Sequence, residues 1–180
     1  MGICLTPVPS PTGSGTTHAF FPALATCCST LEYLTSLFHG RLNGIGWQQV
    51  AAFSLRYLPQ PDYDRQTIRV LFNALRNPIA HRGIATGVWV DRAHGDNKQR
   101  RLTWKVSVGA KRPACQVIAE DGELTRDPPW PSRYTHRIHI HLRGLSIDIR
   151  DAANQYSSDL HTDPQLLANF NASMRQLYPT

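Results

Sequence analysis

Apolar residues in the first half of the chain recur at intervals of three and four. Phe20, Leu24, Cys27, Leu31, Leu34 and Phe38 form one such stripe, which predicts an amphipathic helix from about Thr17 to His39, closed by Gly40. Pro22 fits this helix only in its first turn, where no N–H donor is required. Trp47, Val50, Ala51, Ser54, Leu55 and Leu58 predict a second helix, stopped by Pro59 and Pro61. Asp62 is the expected N-cap of a third, whose stripe is Ile68, Leu71, Phe72, Leu75 and Ile79 and whose end is expected at Gly83.

Beyond Gly83 the period falls to two. Val88-Trp89-Val90, and then Leu102, Trp104, Val106 and Val108 alternating with polar residues, predict a hairpin whose turn chemistry lies in Ala93-His94-Gly95-Asp96-Asn97. A shorter strand is expected from Ala114 to Ile118 and a longer one from Tyr134 to Leu142, separated by a loop holding Pro128, Pro129 and Pro131. Helical spacing returns at Ile149, Ala152, Ala153, Tyr156 and Leu160. It continues at Leu166, Leu167, Phe170, Met174 and Leu177, with Asp163 as N-cap and Pro164 in the first helical position.

The predicted architecture is therefore mainly α. It is an antiparallel helical bundle of four or five helices, with a small antiparallel β-sheet inserted between the third and fourth, α+β taken together. Residues 1–16, rich in Pro, Gly, Ser and Thr, read as a loose arm, and 17–180 as a single domain with the β insertion at about 86–142.

Composition narrows the classes. With 41% hydrophobic and 18% charged residues the chain has the makeup of a globular protein, and it contains no run of eighteen apolar residues. A cytoplasmic protein without membrane partners is expected, although Met1-Gly2-Ile3-Cys4-Leu5-Thr6 fits the short pattern for N-myristoylation. Cys4, Cys27, Cys28 and Cys115 show no C-x-x-C spacing and are expected as free thiols.

The net charge of +6 favours a polyanionic partner. Lys98, Arg100, Arg101, Lys105, Lys111 and Arg112 lie in a stretch without acids from Lys98 to Ala119. This stretch reads either as a nucleic-acid-binding surface or as an ordinary solvated strand face.

One segment carries catalytic character. In Leu75-Arg76-Asn77-Pro78-Ile79-Ala80-His81, a helical advance of about 100° per residue puts Asn77 and His81 on a face roughly opposite the Leu71/Leu75/Ile79 stripe, with Arg76 flanking it. Pro78 removes the hydrogen bond to the Ala74 carbonyl and disturbs the helix locally, so a kink is expected. Read structurally, Arg76 and Asn77 brace a helix end and His81 favours its C-terminal dipole.

An arginine, a polar residue after it, and a histidine with four residues intervening, near the end of a bundle helix, resemble the R-x(4-6)-H motif of HEPN domains. The resemblance covers the first three helices and extends to the C-terminal ones, and it gives the sheet no role. It implies a helical bundle that dimerises and brings two motifs into one cleft. It also implies a metal-independent endoribonuclease with no cofactor, with Arg76, Asn77 and His81 as site residues. The function it implies is that of a toxin or defence effector, restrained by an antitoxin or another regulatory protein. RNA would supply its own 2′-hydroxyl nucleophile, His81 would move the proton, and Arg76 would hold the phosphate. HEPN-like members that bind nucleic acid or a protein partner without cleavage supply the alternative, a non-catalytic dimeric module.

His139 and His141 share a strand face at a spacing that can ligate zinc, but no cysteine or carboxylate nearby in sequence completes a set, and no metal is expected. His136 is expected on the opposite, buried face with Tyr134, Ile138 and Ile140. Trp89, Trp104 and Trp130 read as base-stacking or as core residues. The sequence has no Gly-rich phosphate loop, H-E-x-x-H, nucleophile elbow or dinucleotide fingerprint.

Overall fold

A computed structural model of the chain describes residues 20–82, 88–91, 100–124 and 132–179. The expected arm, Cys4, Lys98, Trp130, Gly83 and the hairpin turn at 93–97 lie outside the described residues.

Helix α1 (Phe20–His39) carries Pro22 in its first turn and ends as its sequence requires. Gly40 takes a positive φ of 72°, its N–H reaches the Leu37 carbonyl, and the Arg41 N–H reaches that of Ser36. This is the paired closure that a left-handed glycine permits. Helix α2 (Trp47–Tyr57) starts at Gly46, whose N–H donates to the Gln49 side chain at 3.0 Å.

A third helical stretch runs through α3 (Arg65–Val70), a π-helical segment (Leu71–Arg76) and α4 (Asn77–Arg82). Its cap is Asp64, not the expected Asp62: the Asp64 carboxylate accepts from the Thr67 N–H at 2.7 Å, and Asp62 falls in the turn after Pro61. The stripe Ile68, Leu71, Phe72, Leu75 and Ile79 is buried as its spacing predicts.

The sheet comprises β1 (Trp89–Asp91), β2 (Arg100–Ser107), β3 (Cys115–Leu124) and β4 (Ser132–His141), in the order β1-β2-β4-β3. The β1–β2 hairpin forms as expected, but the sheet is mixed and not antiparallel, because β4 inserts between β2 and β3 and runs parallel to β2. Alternation of apolar residues fixes which face a strand buries and leaves strand order open, so nothing in the pattern distinguished the two arrangements. The last strand also ends one residue before its expected limit: Leu142 opens α5 (Leu142–Asp159), with no loop between strand and helix.

The helices cover one face of this sheet. Trp104 of β2 meets Phe21 of α1 edge-on at 5.1 Å between ring centres, and Ile138, Ile140 and Cys115 are buried beneath the bundle. Cys28 and Cys115 are buried free thiols, and burial pushes the Cys115 thiol up to about 12. Helix α6 (Pro164–Leu177) is capped by Asp163 and closes the bundle against α1. Its Asn169 donates to the Phe38 carbonyl at 2.8 Å and its Ser173 to the Ser36 carbonyl at 3.0 Å, satisfying the end of α1.

Two ion pairs join sheet to helices. Arg69 of α3 grips Asp91 of β1 through both guanidinium nitrogens, at 2.8 and 2.5 Å, with 11% and 1% of the two side chains exposed. Asp148 of α5, 2% exposed, accepts from Tyr63 at 2.6 Å and from Arg112 of the β2–β3 connection. Removing Arg69 takes two charge-assisted hydrogen bonds from a carboxylate that is almost wholly buried. Arg69→Ala is therefore expected to cost about 3–5 kcal/mol of unfolding free energy. Urea denaturation checks this, and a loss below about 1 kcal/mol, typical of an exposed pair, would contradict the assigned burial.

Candidate functional site

The backbone before Pro78 is widened into a π-helical segment. Proline cannot donate to the carbonyl four residues back, and its ring presses on that carbonyl in a regular α-helix. Here the Asn77 N–H reaches five residues back, to Phe72, and the π turn carries the chain past the proline with helical dihedrals at Val70, Leu71 and Asn77. Such turns change the angular relation of the residues on either side, which an ideal helical wheel does not capture.

On this widened segment Arg76 is held from two directions. One terminal nitrogen, Nη2, pairs with the Glu32 carboxylate of α1, and the other, Nη1, donates to Asn77 Oδ1 at 3.1 Å. Asn77 in turn donates to Asn73 Oδ1 at 3.5 Å. About a quarter of each ionic side chain, 24% of Arg76 and 25% of Glu32, remains exposed. A guanidinium has five N–H donors, so these two bonds leave donors for an incoming phosphate. The Glu32 charge nevertheless offsets that of Arg76.

His81 lies one turn beyond Asn77, is exposed, and makes no hydrogen bond or ion pair among the described residues. The fold thus brings Arg76 and Asn77 into contact and leaves His81 separate at the surface. Glu32 is a member of this cluster that sequence reasoning missed. It lies 44 residues upstream, and only the α1 packing places it there.

The expected nucleic-acid-binding residues divide. Arg101 and Lys105 lie on the outer face of β2, opposite the helices, whereas Arg100 alternates onto the helix-facing side with Leu102 and Trp104. Lys111 is exposed in the β2–β3 connection. Arg112, its neighbour, is committed to Asp148, and Lys98 lies outside the described residues.

The outer face adds groups that the basic stretch did not include. Lys105 is in register with His139, and Ser107 with His141, across the parallel β2–β4 pair. Ser107 Oγ lies 2.6 Å from His141 Nδ1. Glu120 pairs with Arg137 at 2.7 Å and approaches His139 Nε2 at 3.4 Å. Burial, with Lys111, His139 and Lys105 adding to it, holds the His141 imidazole below its ordinary pKa. No group of three metal-ligating residues occurs among the described residues. His136 faces the helices but is only half-buried, with Nδ1 at 2.9 Å from Thr135 Oγ1.

The chain matches no family model, no curated protein and no solved structure at a significant level.

If Pro78 is what forces the π turn, restoring a donor should relax it. Pro78→Ala is expected to raise stability by about 1–3 kcal/mol in urea denaturation. Unchanged or lower stability would place the origin of the widened turn elsewhere.

Proposed function

We propose that the chain is a metal-independent endoribonuclease of HEPN type that works as a homodimer, with Arg76, Asn77 and His81 as its site residues. The observation that carries this reading is the Arg76–Asn77 contact on a π-widened helix, with an exposed imidazole one turn further on. Helical distortions of this kind recur at functional sites, where geometry outweighs the stability of a regular helix.

The chemistry follows from the groups. The 2′-hydroxyl of RNA attacks the adjacent phosphorus; the new 2′-O–P bond forms as the P–O5′ bond breaks, leaving a 2′,3′-cyclic phosphate and a 5′-hydroxyl. Imidazole, the side chain that titrates nearest neutral pH, takes the 2′ proton, and a second imidazole protonates the departing 5′-oxygen. One chain supplies one His81, so the reaction draws the other from a second copy in a symmetric dimer. Arg76 stabilises the charge that accumulates on phosphorus, held in its rotamer by Glu32 and Asn77. As a toxin or defence effector such an enzyme requires a restraining partner, an antitoxin or another regulatory protein.

The Arg76–Glu32 pair also favours a second function, a non-catalytic dimeric module that binds nucleic acid or a protein partner. An arginine neutralised by its own fold braces α1 against the π segment, and the basic sheet then supplies the contact surface.

The two are separated by His81→Ala, because an exposed side chain with no hydrogen bond or ion pair among the described residues can be removed with little effect on folding. For the nuclease, His81→Ala and Arg76→Ala lower the rate of cleavage of a labelled RNA by about 10²-fold or more while circular dichroism stays unchanged. Equal cleavage by wild type and both variants removes the nuclease. RNA bound with steep salt dependence and never cut supports the module.

A further inference from the structure

The sheet has two faces of opposite character. Leu102, Ile138, Ile140 and Cys115 face the helices, while the positions that alternate with them, Arg101, Lys105, Ser107, Arg137, His139, His141 and Gln116, face away. Neighbouring strands lie about 5 Å apart, so the row Gln116–His139–Lys105 and the adjoining pair His141–Ser107 form one continuous polar surface. Lys111 sits at its end, close enough to act on the His141 imidazole.

Five acids pair with arginines away from this face. Glu32 holds Arg76, Asp91 holds Arg69, Asp148 holds Arg112, and Asp159 and Asp163 both hold Arg56. Two carboxylates lie on the outer face among the described residues: Glu120, paired with Arg137 and 3.4 Å from His139, and Glu123, in register with Arg133 at the far end of the strands from His141. Lys105 and Lys111 form no ion pair among the described residues. Like charges gathered without a counter-ion raise the energy of the free protein, and a bound anion lowers it.

We propose that the outer sheet face is an RNA-backbone site in which Lys105, Lys111 and His141 hold a phosphate, Ser107 fixes the His141 ring, and His139 extends the contact to the next phosphate. The choice of RNA rests on the function proposed above; the geometry asks for a phosphate-bearing anion. The Ser107 hydroxyl can donate to Nδ1 of a ring whose proton is on Nε2 or accept from a protonated Nδ1, and protonation of the ring makes both nitrogens donors.

The site is pH-dependent by construction. His141 is faced by Lys105 and Ser107 from β2, Lys111 from the connection, His139 from its own strand and the uncharged Gln116 from β3; Arg143 follows in the first turn of α5. Of the acids, Asp148 is tied to Arg112, Glu120 to Arg137 with His139 at 3.4 Å, and Asp62 and Asp64 act on the Arg112–Cys115 end of the connection. In the free protein the His141 pKa is depressed, so its stabilising contribution is full above the unfolded value of about 6.5 and is lost as pH falls. A bound polyanion favours the same proton, so RNA affinity rises as pH falls.

The test is fluorescence anisotropy with a labelled single-stranded RNA of about twelve nucleotides, long enough to span such a face. The full-length chain carries His81→Ala so that nothing is cut. Affinity is expected to rise at least about threefold from pH 7.5 to 5.5, and to lose this rise in a His139→Gln/His141→Gln variant that melts like the parent at pH 7.5. Lys105→Gln/Lys111→Gln should reduce the salt slope of binding by about 1.4, roughly 0.7 for each charge on a single strand. An unchanged slope in the lysine variant, or an unchanged pH response in the histidine variant, overturns the proposal. Failure here leaves the cleavage reaction testable by itself, since cleavage is read with His81 restored and the sheet residues unchanged. RNA bound at the sheet but never cut would sink the nuclease alone.

Discussion

A buried carboxylate organises this fold. Asp148, near the middle of α5, is almost wholly removed from water, and its charge is compensated by the Tyr63 hydroxyl from the α2–α3 connection and the Arg112 guanidinium from the β2–β3 connection. An ionised carboxylate cannot be buried without such partners, so the three segments are fixed together or none is. The arrangement also sets the path of residues 108–114 at the sheet end. There the Ala114 carbonyl accepts from the His141 N–H, and a Cβ on Gly144 would come within 2.9 Å of Ala114. Strand β4 can therefore pass into α5 without a loop, and Lys111 is kept beside His141.

The helices were legible in the sequence because each buries one stripe, and a stripe of period 3.6 survives whatever packs against it. Ile68, Leu71, Phe72, Leu75 and Ile79 are all buried, although a π turn interrupts them. Gly40, Asp163 and Pro164 mark their helix ends for local reasons that need no tertiary partner. The mixed sheet was not legible. Insertion of β4 between β2 and β3 leaves no periodic trace, and neither does the Arg112–Asp148 pair that ties the β2–β3 connection to α5. The cap moved from Asp62 to Asp64 for a similar reason, since two aspartates two residues apart offer the same chemistry and the turn chooses between them.

The candidate site was legible only in part. Arg76, Asn77 and His81 announce themselves by spacing, and the Arg76–Asn77 contact is local. Glu32 and the Ser107–His141 pair depend on contacts between segments 44 and 34 residues apart, beyond the reach of any motif. The basic stretch from Lys98 to Ala119 was visible as a block of charge, but strand alternation splits it, and one arginine of the block, Arg112, is paired with the buried Asp148.

The pairing of Arg76 with Glu32 bears directly on how such a site can work. A carboxylate competes with a substrate phosphodiester on equal terms, one negative charge against one, and the partner already in place has no ordering entropy left to lose. Phosphoryl transfer changes the balance, because the five-coordinate phosphorus gathers more negative charge on its equatorial oxygens than the ground state carries. A guanidinium whose hold on the substrate is opposed by Glu32, but whose hold on the transition state is not fully offset, binds the second better than the first. Only that difference accelerates a reaction. Glu32 lowers the hold of Arg76 on both states, so any such difference must come from the guanidinium donors that Glu32 and Asn77 leave unused.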